Sequence, residues 1–189
     1  AAESLFEVLD EPVEKNIGLE LVSSCEGEIE FRNVSFSYEG VSKPALKEIS
    51  FKIRPGQAVA LVGASGSGKT TLINLLMRFY DCNKGDILID GANIYSAQLE
   101  SLRKQMALVG QNVTLFDGSV KDNIAYGDAN PNDDLIVKSA EEAYAMEFIE
   151  KMEAGLDAQI GESGVKLSGG QRQRLAFARA IYKSAPILI

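Results

Sequence analysis

Between two apolar segments the chain reads Gly63-Ala64-Ser65-Gly66-Ser67-Gly68-Lys69-Thr70-Thr71. This stretch is the strongest indication of the fold, because it contains the complete pattern GxxxxGK[ST] of a phosphate-binding loop. The glycines let successive backbone N–H groups turn toward phosphate oxygens, and the helix that follows adds the partial positive charge of its N-terminus. In such a loop the lysine contacts the β- and γ-phosphates, and the Thr70 hydroxyl coordinates Mg²⁺. The sequence therefore predicts a nucleoside triphosphate site at residues 63–71.

The segments on either side of this loop have the periodicity that the motif requires. Residues 58–62 form a short continuous apolar run, which predicts a strand buried on both faces. After the loop, apolar residues recur on one face of a predicted helix, at Leu72, Leu75, Leu76 and Phe79. Two other interpretations are weaker. A turn that only connects strand to helix rarely matches the whole pattern, and a dinucleotide-binding loop needs GxGxxG, which this stretch does not contain.

A second glycine-rich stretch, Leu167-Ser168-Gly169-Gly170-Gln171, stands before a helix predicted at residues 171–182. Ser168 is placed as an N-cap, and the two glycines expose backbone N–H groups, so this helix end can bind an anion. A helix that is merely well capped has the same sequence, and these residues alone do not decide between the two interpretations. Because this helix end has no lysine and no preceding strand, it would need a nucleotide that is bound elsewhere.

The composition excludes several classes of function. A net charge of -8 and a pI near 4.7 argue against a protein that coats nucleic acid. The chain has no histidine, which excludes histidine-based catalysis and metal binding within these residues. Cys25 and Cys82 lie far apart without CxxC spacing, so neither a disulfide framework nor a zinc site is indicated. No apolar run approaches the roughly 20 residues of a membrane-spanning helix, and we expect this chain itself not to cross a bilayer.

Periodic patterns elsewhere predict the remaining elements of an α/β domain. An amphipathic helix is expected after Asn130, with Ile136, Ala140, Ala143 and Tyr144 on its apolar face. Alternating or continuous apolar residues predict strands at residues 29–38, 49–53, 85–90, 106–110 and 187–189.

The stretch 167–171, continued as Arg172-Gln173-Arg174-Leu175-Ala176, resembles the signature motif of ABC ATPases. The resemblance covers nearly the whole chain, and the signature is far more specific than the phosphate loop. It implies an α/β P-loop NTPase of the ABC type, with a mixed central sheet, an antiparallel β subdomain and a helical subdomain. The ATPase domain would span residues 28–189 and the helical subdomain about 112–168. ATP and Mg²⁺ are the implied ligands.

Three further residues take roles from this resemblance. Tyr38 resembles the aromatic residue that stacks on adenine, although a tyrosine at a strand end is more often an ordinary strand residue. Gln111 resembles the glutamine that binds Mg²⁺ and positions water, although it could be a plain polar loop residue. Glu162 lies in a loop similar to the one that exporters place against their membrane domain, and its alternative is a solvated carboxylate.

The segments before the ATPase domain are also similar to ABC exporters. Residues 1–10 have the helical spacing expected of the end of a last membrane-domain helix, and residues 11–27 suit a linker. Residues 78–81, 123–126 and 143–149 look most like those of bacterial lipid A exporters. The implied partners are a membrane domain in the same polypeptide and a second ABC ATPase domain, which offers its signature in trans. No nucleic acid partner is implied, and the implied location is the cytoplasmic face of the inner membrane.

In the family, the apolar run that begins at residue 187 continues to an Asp that supports Mg²⁺ and a Glu that acts as general base. We therefore predict no catalytic residue within this chain, a C-terminally incomplete sheet, and negligible turnover by these 189 residues alone. Two rivals remain, namely a soluble ABC ATPase acting on nucleic acid or ribosomes, and a P-loop kinase or non-catalytic nucleotide-binding module. The transported molecule, and the choice between homodimer and heterodimer, are not encoded in these residues.

Overall fold

The computed structural model describes residues 14, 16, 18–22 and 24–189. The helix end predicted at residues 1–10 lies outside the described residues, and so does part of the linker predicted at residues 11–27. Where the linker is described, the N–H of Glu20 donates to the carbonyl of Ser96 at 3.1 Å, and the Glu20 carbonyl accepts from Gln98 at 2.8 Å. This part of the linker therefore runs beside residues 96–98. The predicted domain boundaries stay predictions.

The chain forms two compact units, of which the first ends at Leu102 and the second covers Arg103–Ile189. The first unit is built on a four-stranded antiparallel sheet with the strand order β2-β1-β3-β4. Its strands are β1 Ile29–Phe36, β2 Leu46–Ile53, β3 Lys84–Ile89 and β4 Ala92–Asn93. Helix α1 covers Lys69–Leu76, and helix α2, Leu99–Lys104, begins in this unit.

Strand β1 organises the core of the first unit, because it pairs with β2 on one side and β3 on the other. Phe31 lies opposite Phe51 of β2, and their rings stack with centroids 4.6 Å apart. Asn33 has a positive φ of 50° and lies at a register shift, so that Phe31 and Val34 are both buried although three positions separate them. The predicted strands at residues 29–38, 49–53 and 85–90 are confirmed, with β1 ending at Phe36.

The strand predicted at residues 58–62 was wrong for this structure. These residues have no strand assignment, and the side chain of Val62 is 88% exposed. A strand forms only when its backbone N–H and C=O groups pair with a neighbour, and no described strand of the first unit pairs with this run. The predicted burial of this run was wrong as well, because all five residues are exposed. An apolar composition does not supply the neighbouring strand that would cover it.

Helix α1 is shorter than the sequence predicted. The apolar face was expected to include Phe79, but the helix ends at Leu76, and Phe79 is 47% exposed. Leu75 and Leu76 are buried as expected. The chain leaves the helical path at Arg78, whose φ of 52° is incompatible with a continuing helix. The Arg78 side chain explains this turn, because it is 4% exposed and donates to the carbonyl oxygens of Ile94 and Ala97.

The second unit is mainly helical. Its helices are α3 Val120–Ile124, α4 Asp133–Glu142, α5 Met146–Ile149 and α6 Gly169–Lys183, with 3₁₀ turns at Gly155–Asp157 and Glu162–Gly164. Strands β5 Met106–Ala107 and β6 Ile187–Leu188 pair in parallel. The strand predicted at 106–110 is therefore only two residues long, and the strand predicted at 187–189 is present.

Helix α6 organises the core of this unit, in which Leu175 and Ala178 are completely buried. Helix α4 packs against it and buries Ile136 and Ala140 on one face, as predicted. The prediction for Tyr144 was wrong, because this residue has a φ of 54° and is 70% exposed beyond the end of α4. In the described part of the chain, no helix is long and apolar enough to span a membrane.

Candidate functional site

The phosphate loop lies at the start of α1, where the sequence predicted it. Gly68 is the N-cap residue of this helix and has a φ of 91°. A Cβ atom at Gly68 would lie 2.6 Å from Cδ2 of Leu46 and 2.8 Å from the carbonyl oxygen of Ala45. Only glycine combines the left-handed backbone with this close approach to β2. The fold itself therefore requires glycine at this position of the pattern.

The first turn of α1 carries an uncompensated positive end. Gly68 provides no side-chain cap, and the first turn holds no acidic residue. The first N–H groups of a helix have no intrahelical acceptor, and they add to the positive end of the helix dipole. Helices α3, α4 and α6 differ, because each has a side chain that accepts a hydrogen bond at its N-terminus. Among these four helices, only α1 thus begins without a side-chain cap, which leaves its first N–H groups open to an anionic ligand.

The ammonium group of Lys69 lies within the phosphate loop. Its Nζ donates to the carbonyl oxygens of Gly63 and Ala64, each at 2.9 Å, and to Oγ of Ser67 at 3.3 Å. The loop residues 63–67 are exposed, and Lys69 is half-buried. The positive charge is therefore held on the concave side of the loop, where it can contact phosphate oxygens that approach the α1 N-terminus.

The structure brings Tyr38 to the same helix end. The hydroxyl of Tyr38 and Oγ1 of Thr71 are 3.1 Å apart, although the two residues are separated by 33 positions in the sequence. Thr71 is 6% exposed, so its hydroxyl is engaged with Tyr38 inside the unit. Thr70 is exposed on the first turn of α1, and its hydroxyl is accessible to a ligand. An aromatic ring, a phosphate loop and an accessible hydroxyl thus meet in the first unit.

The predicted signature residues form the N-terminus of α6. Oγ of Ser168 accepts from the N–H of Gln171 at 3.3 Å, and Oε1 of Gln171 accepts from the N–H of Ser168 at 2.8 Å. This reciprocal pair is a capping box, so the capped-helix interpretation of Ser168 is correct. Gly169 and Gly170 are exposed, and a Cβ at Gly170 would contact nothing within 4 Å. The helix end is therefore capped and also accessible.

The remaining predicted residues belong to the second unit, whereas the loop and Tyr38 belong to the first. Gln111 is exposed and follows β5 in the chain. Glu162 is exposed in the 3₁₀ turn Glu162–Gly164, in which Ser163 has a φ of 54°. Within the described residues, no group of three His, Cys, Asp or Glu side chains could hold a metal ion.

Sequence reasoning missed one residue of the first unit that contacts the predicted site. The ring of Tyr80 lies 5.2 Å from the ring of Tyr38, nearly perpendicular to it. No spacing pattern predicts this contact, because Tyr80 follows α1 and Tyr38 follows β1. An aromatic residue four positions after the end of the phosphate-loop helix was the available hint.

A comparison with protein families matches residues 46–189 to the ABC transporter family. The chain belongs to this family. The matched range includes the phosphate loop and the signature stretch, so the resemblance stated from the residues is confirmed. A P-loop kinase is excluded, because the match is to the ABC family over most of the chain.

The most similar relatives of this ABC transporter chain include two lipid flippases. An "ATP-dependent lipid A-core flippase" of Coxiella burnetii is 55% identical over 190 residues, which are 100% of this chain and 32% of the relative. A protein of the same name from Idiomarina loihiensis is 53% identical and is covered to 33%. The chain thus spans about a third of the length of these curated relatives.

A solved structure titled as a bacterial Atm1-family ABC exporter with ATP bound matches 99% of this chain, with a TM-score of 0.88 and 37% sequence identity. The match covers 33% of that exporter chain. The predicted fold class, an α/β ABC ATPase with an antiparallel sheet and a helical part, is therefore confirmed. Of the predicted central sheet, the described strands form one parallel pair, β5-β6.

Proposed function

We propose that this chain is the ATP-binding domain of an ABC exporter, and that the complete protein uses Mg-ATP binding and hydrolysis to move a lipid such as lipid A. The observation that carries the proposal is the 3.1 Å contact between Tyr38 and Thr71, which holds an aromatic ring beside the phosphate-loop helix. One unit can then contact both the base and the triphosphate of a nucleotide. The names of the relatives support the lipid, and the exporter neighbour supports ATP.

In this proposal the phosphates bind to the amides of residues 63–68 and to the N-terminus of α1. Lys69 exchanges its contacts with the loop carbonyls for contacts with the β- and γ-phosphates, which offer a stronger charge-assisted hydrogen bond. Tyr38 stacks on adenine, a contact worth about 1–3 kcal/mol. Thr71 acts on the nucleotide mainly through Tyr38, because its hydroxyl is already engaged there.

The residues present fit Mg²⁺ as well as ATP. The exposed hydroxyl of Thr70 lies one residue after Lys69 on the first turn of α1, so one protein oxygen is available next to the phosphates. Mg²⁺ usually takes few protein ligands at such sites and shares the rest with phosphates and water. Gln111 is the second protein ligand that we propose. When bound, Mg²⁺ neutralises charge on the β- and γ-phosphates.

We further propose that the capped end of α6 acts on a nucleotide held by a second ABC ATPase domain. Gly169 and Gly170 leave the backbone N–H groups accessible, while the Ser168–Gln171 capping box keeps the helix end rigid. The membrane domain of the same polypeptide is the other proposed partner, and Glu162 lies in the loop proposed to face it. We therefore propose that the domain lies at the cytoplasmic face of the bacterial inner membrane.

Replacement of Lys69 tests the nucleotide site. We expect Lys69→Ala in the complete protein to weaken Mg-ATP binding by about 10- to 100-fold, since a hydrogen bond to a charged group contributes about 1.5–3 kcal/mol. Calorimetric titration with Mg-ATP gives the dissociation constant. Lys138→Ala is the matched control, because Lys138 is a surface lysine paired only loosely with Glu142 at 3.8 Å. Unchanged Mg-ATP affinity in Lys69→Ala would refute the proposal.

The transported molecule needs a separate experiment. The complete protein in vesicles should hydrolyse ATP faster when lipid A with its core sugars replaces part of the phospholipid. The alternative, a soluble ABC ATPase that acts on nucleic acid or ribosomes, predicts stimulation by RNA or DNA instead. Stimulation by nucleic acid and not by lipid A would exclude the exporter.

A further inference from the structure

Three aromatic rings form a closed cluster beside the phosphate-loop helix. The ring of Tyr38 lies 4.8 Å from that of Phe36 and 5.2 Å from that of Tyr80, with interplanar angles of 83° and 87°. The rings of Phe36 and Tyr80 are themselves 5.7 Å apart. Perpendicular pairs at these distances are favourable, because the positive edge of one ring faces the negative face of the other. Neither neighbour stacks on Tyr38 in parallel, which is the geometry that a base would adopt.

The two neighbours of Tyr38 differ in burial. Phe36 ends β1 and is 5% exposed, so its ring belongs to the core of the first unit. Tyr80 is 46% exposed and lies outside any helix or strand. A half-exposed ring contributes less to the hydrophobic core than a buried one, because less of its apolar area leaves water. We therefore look for the role of Tyr80 in its contact with Tyr38 rather than in the hydrophobic core.

The segment that carries Tyr80 is firmly anchored. Two residues earlier, the buried guanidinium of Arg78 donates to the carbonyl oxygens of Ile94 at 3.0 Å and Ala97 at 2.9 Å. The N–H of Phe79 donates to the carbonyl of Asn74 at 2.9 Å, which closes the turn after α1. The position of Tyr80 is thus defined by the helix that carries the phosphate loop, and Tyr80 can transmit that position to Tyr38.

Tyr38 needs such support, because it follows the last residue of β1 by two positions and lies in no regular element. A tyrosine in a loop loses side-chain freedom when a base stacks on it, and this loss weakens binding. Contacts that already restrict the ring lower this cost. The Thr71 hydroxyl holds the far end of the side chain, and the rings of Phe36 and Tyr80 hold its sides.

We propose that Tyr80 is a positioning residue for the base of the bound nucleotide, and that it acts by holding the Tyr38 ring in the orientation that stacks on adenine. This inference rests on the proposed function, in which Tyr38 contacts adenine. Tyr80 itself contacts no part of the nucleotide in this proposal. Its effect is therefore confined to the base and leaves the binding of phosphates unchanged.

The test compares two ligands in the complete protein, Mg-ATP and inorganic Mg-tripolyphosphate, by calorimetric titration. Both ligands engage the phosphate loop, but only ATP carries a base. We expect Tyr80→Ala to weaken Mg-ATP binding by about two- to tenfold, the range that corresponds to one aromatic pair, and to leave tripolyphosphate binding unchanged. Tyr80→Phe keeps the ring and should restore the affinity for Mg-ATP.

A double-mutant cycle distinguishes an indirect role from direct contact. If Tyr80 acts only through Tyr38, adding Tyr80→Ala to Tyr38→Ala should have no further effect on Mg-ATP binding. A further loss in the double variant would overturn the inference, and so would an equal loss of tripolyphosphate binding in Tyr80→Ala. Unchanged Mg-ATP affinity in Tyr80→Ala would also overturn it.

The failure of this inference can be told apart from failure of the proposed function. Lys69→Ala should weaken the binding of both Mg-ATP and Mg-tripolyphosphate, because the loop binds phosphates with or without a base. If Lys69→Ala weakens the binding of both ligands while Tyr80→Ala changes the binding of neither, only the role of Tyr80 is refuted. If Lys69→Ala changes neither ligand, the nucleotide site is refuted and the role of Tyr80 with it.

Discussion

Two glycines of the phosphate loop, Gly66 and Gly68, differ in why a larger residue would be unfavourable, and replacing each by alanine tests this difference. Both Gly66 and Gly68 have positive φ, but a Cβ at Gly66 would meet nothing within 4 Å, whereas at Gly68 it would meet Leu46 and Ala45. We expect Gly66→Ala to cost about 1–2 kcal/mol from backbone strain alone. Gly68→Ala should cost about 2–5 kcal/mol, because overpacking adds to the strain. Melting of the complete protein without nucleotide measures both, and equal losses would contradict this difference.

Asp128 couples the stability of the second unit to pH. Its carboxylate accepts from the hydroxyl of Tyr182 at 2.6 Å and from the N–H of Asn130 at 2.9 Å. The Tyr182 bond, with the Asn130 bond second, holds the pKa of Asp128 below its usual range. Because the folded pKa lies below the unfolded value of about 4, the stabilisation is complete above that pH and is lost as the pH falls through the folded pKa.

The variant Asp128→Asn checks this pH dependence. Its melting temperature should be lower than that of the parent protein at pH 7, and the difference should shrink as the pH falls below about 4. Asp117→Asn, at another exposed aspartate of the same unit, serves as control. A difference that stays constant down to pH 3 would exclude this role for the Asp128 carboxylate.

At the scale of elements, two serines of the second unit should respond in opposite ways to replacement by alanine. Ser168 caps α6 through its reciprocal bonds with Gln171, and Ser168→Ala should cost about 0.5–2 kcal/mol. Ser139 lies inside α4 and is completely buried, and its hydroxyl has no hydrogen-bond partner among the described residues. Ser139→Ala should raise the free energy of unfolding by about 1 kcal/mol, because a buried unsatisfied hydroxyl is removed.

Melting curves of the two variants show directly whether each replacement raises or lowers stability. Hydrogen exchange at the first turn of α6 should become faster in Ser168→Ala alone. Destabilisation by Ser139→Ala would mean that its hydroxyl is satisfied in solution.

These two elements also illustrate what local sequence can predict. The cap of α6 and the buried face of α4 were predicted because a helix cap and a helical period involve residues within a few positions of one another.

The elements that sequence reasoning misjudged depend on partners far away in the chain. Residues 58–62 have the apolar composition of a buried strand, but no described strand pairs with them. Helix α1 was expected to continue to Phe79, but Arg78 turns the chain by bonding to Ile94 and Ala97. In both cases the deciding contact is non-local, and hydrophobic periodicity carries no information about it.

For the molecule as a whole, we expect the exposed apolar run at residues 58–62 to favour association of the purified chain. Gel filtration should therefore show aggregates rather than monomer, and a single monomeric peak would contradict this expectation.

The phosphate loop, the capped signature helix and the membership of the ABC family could be predicted from the amino-acid sequence, because each depends on residues that are close together in the chain. Three features became visible only in the folded structure: the aromatic rings around Tyr38, the turn at Arg78, and the apolar run that pairs with no described strand. Those features join positions as far apart as Tyr38 and Thr71, 33 residues along the chain. Contacts at such separations arise from packing of the whole unit, so no short stretch of sequence encodes them.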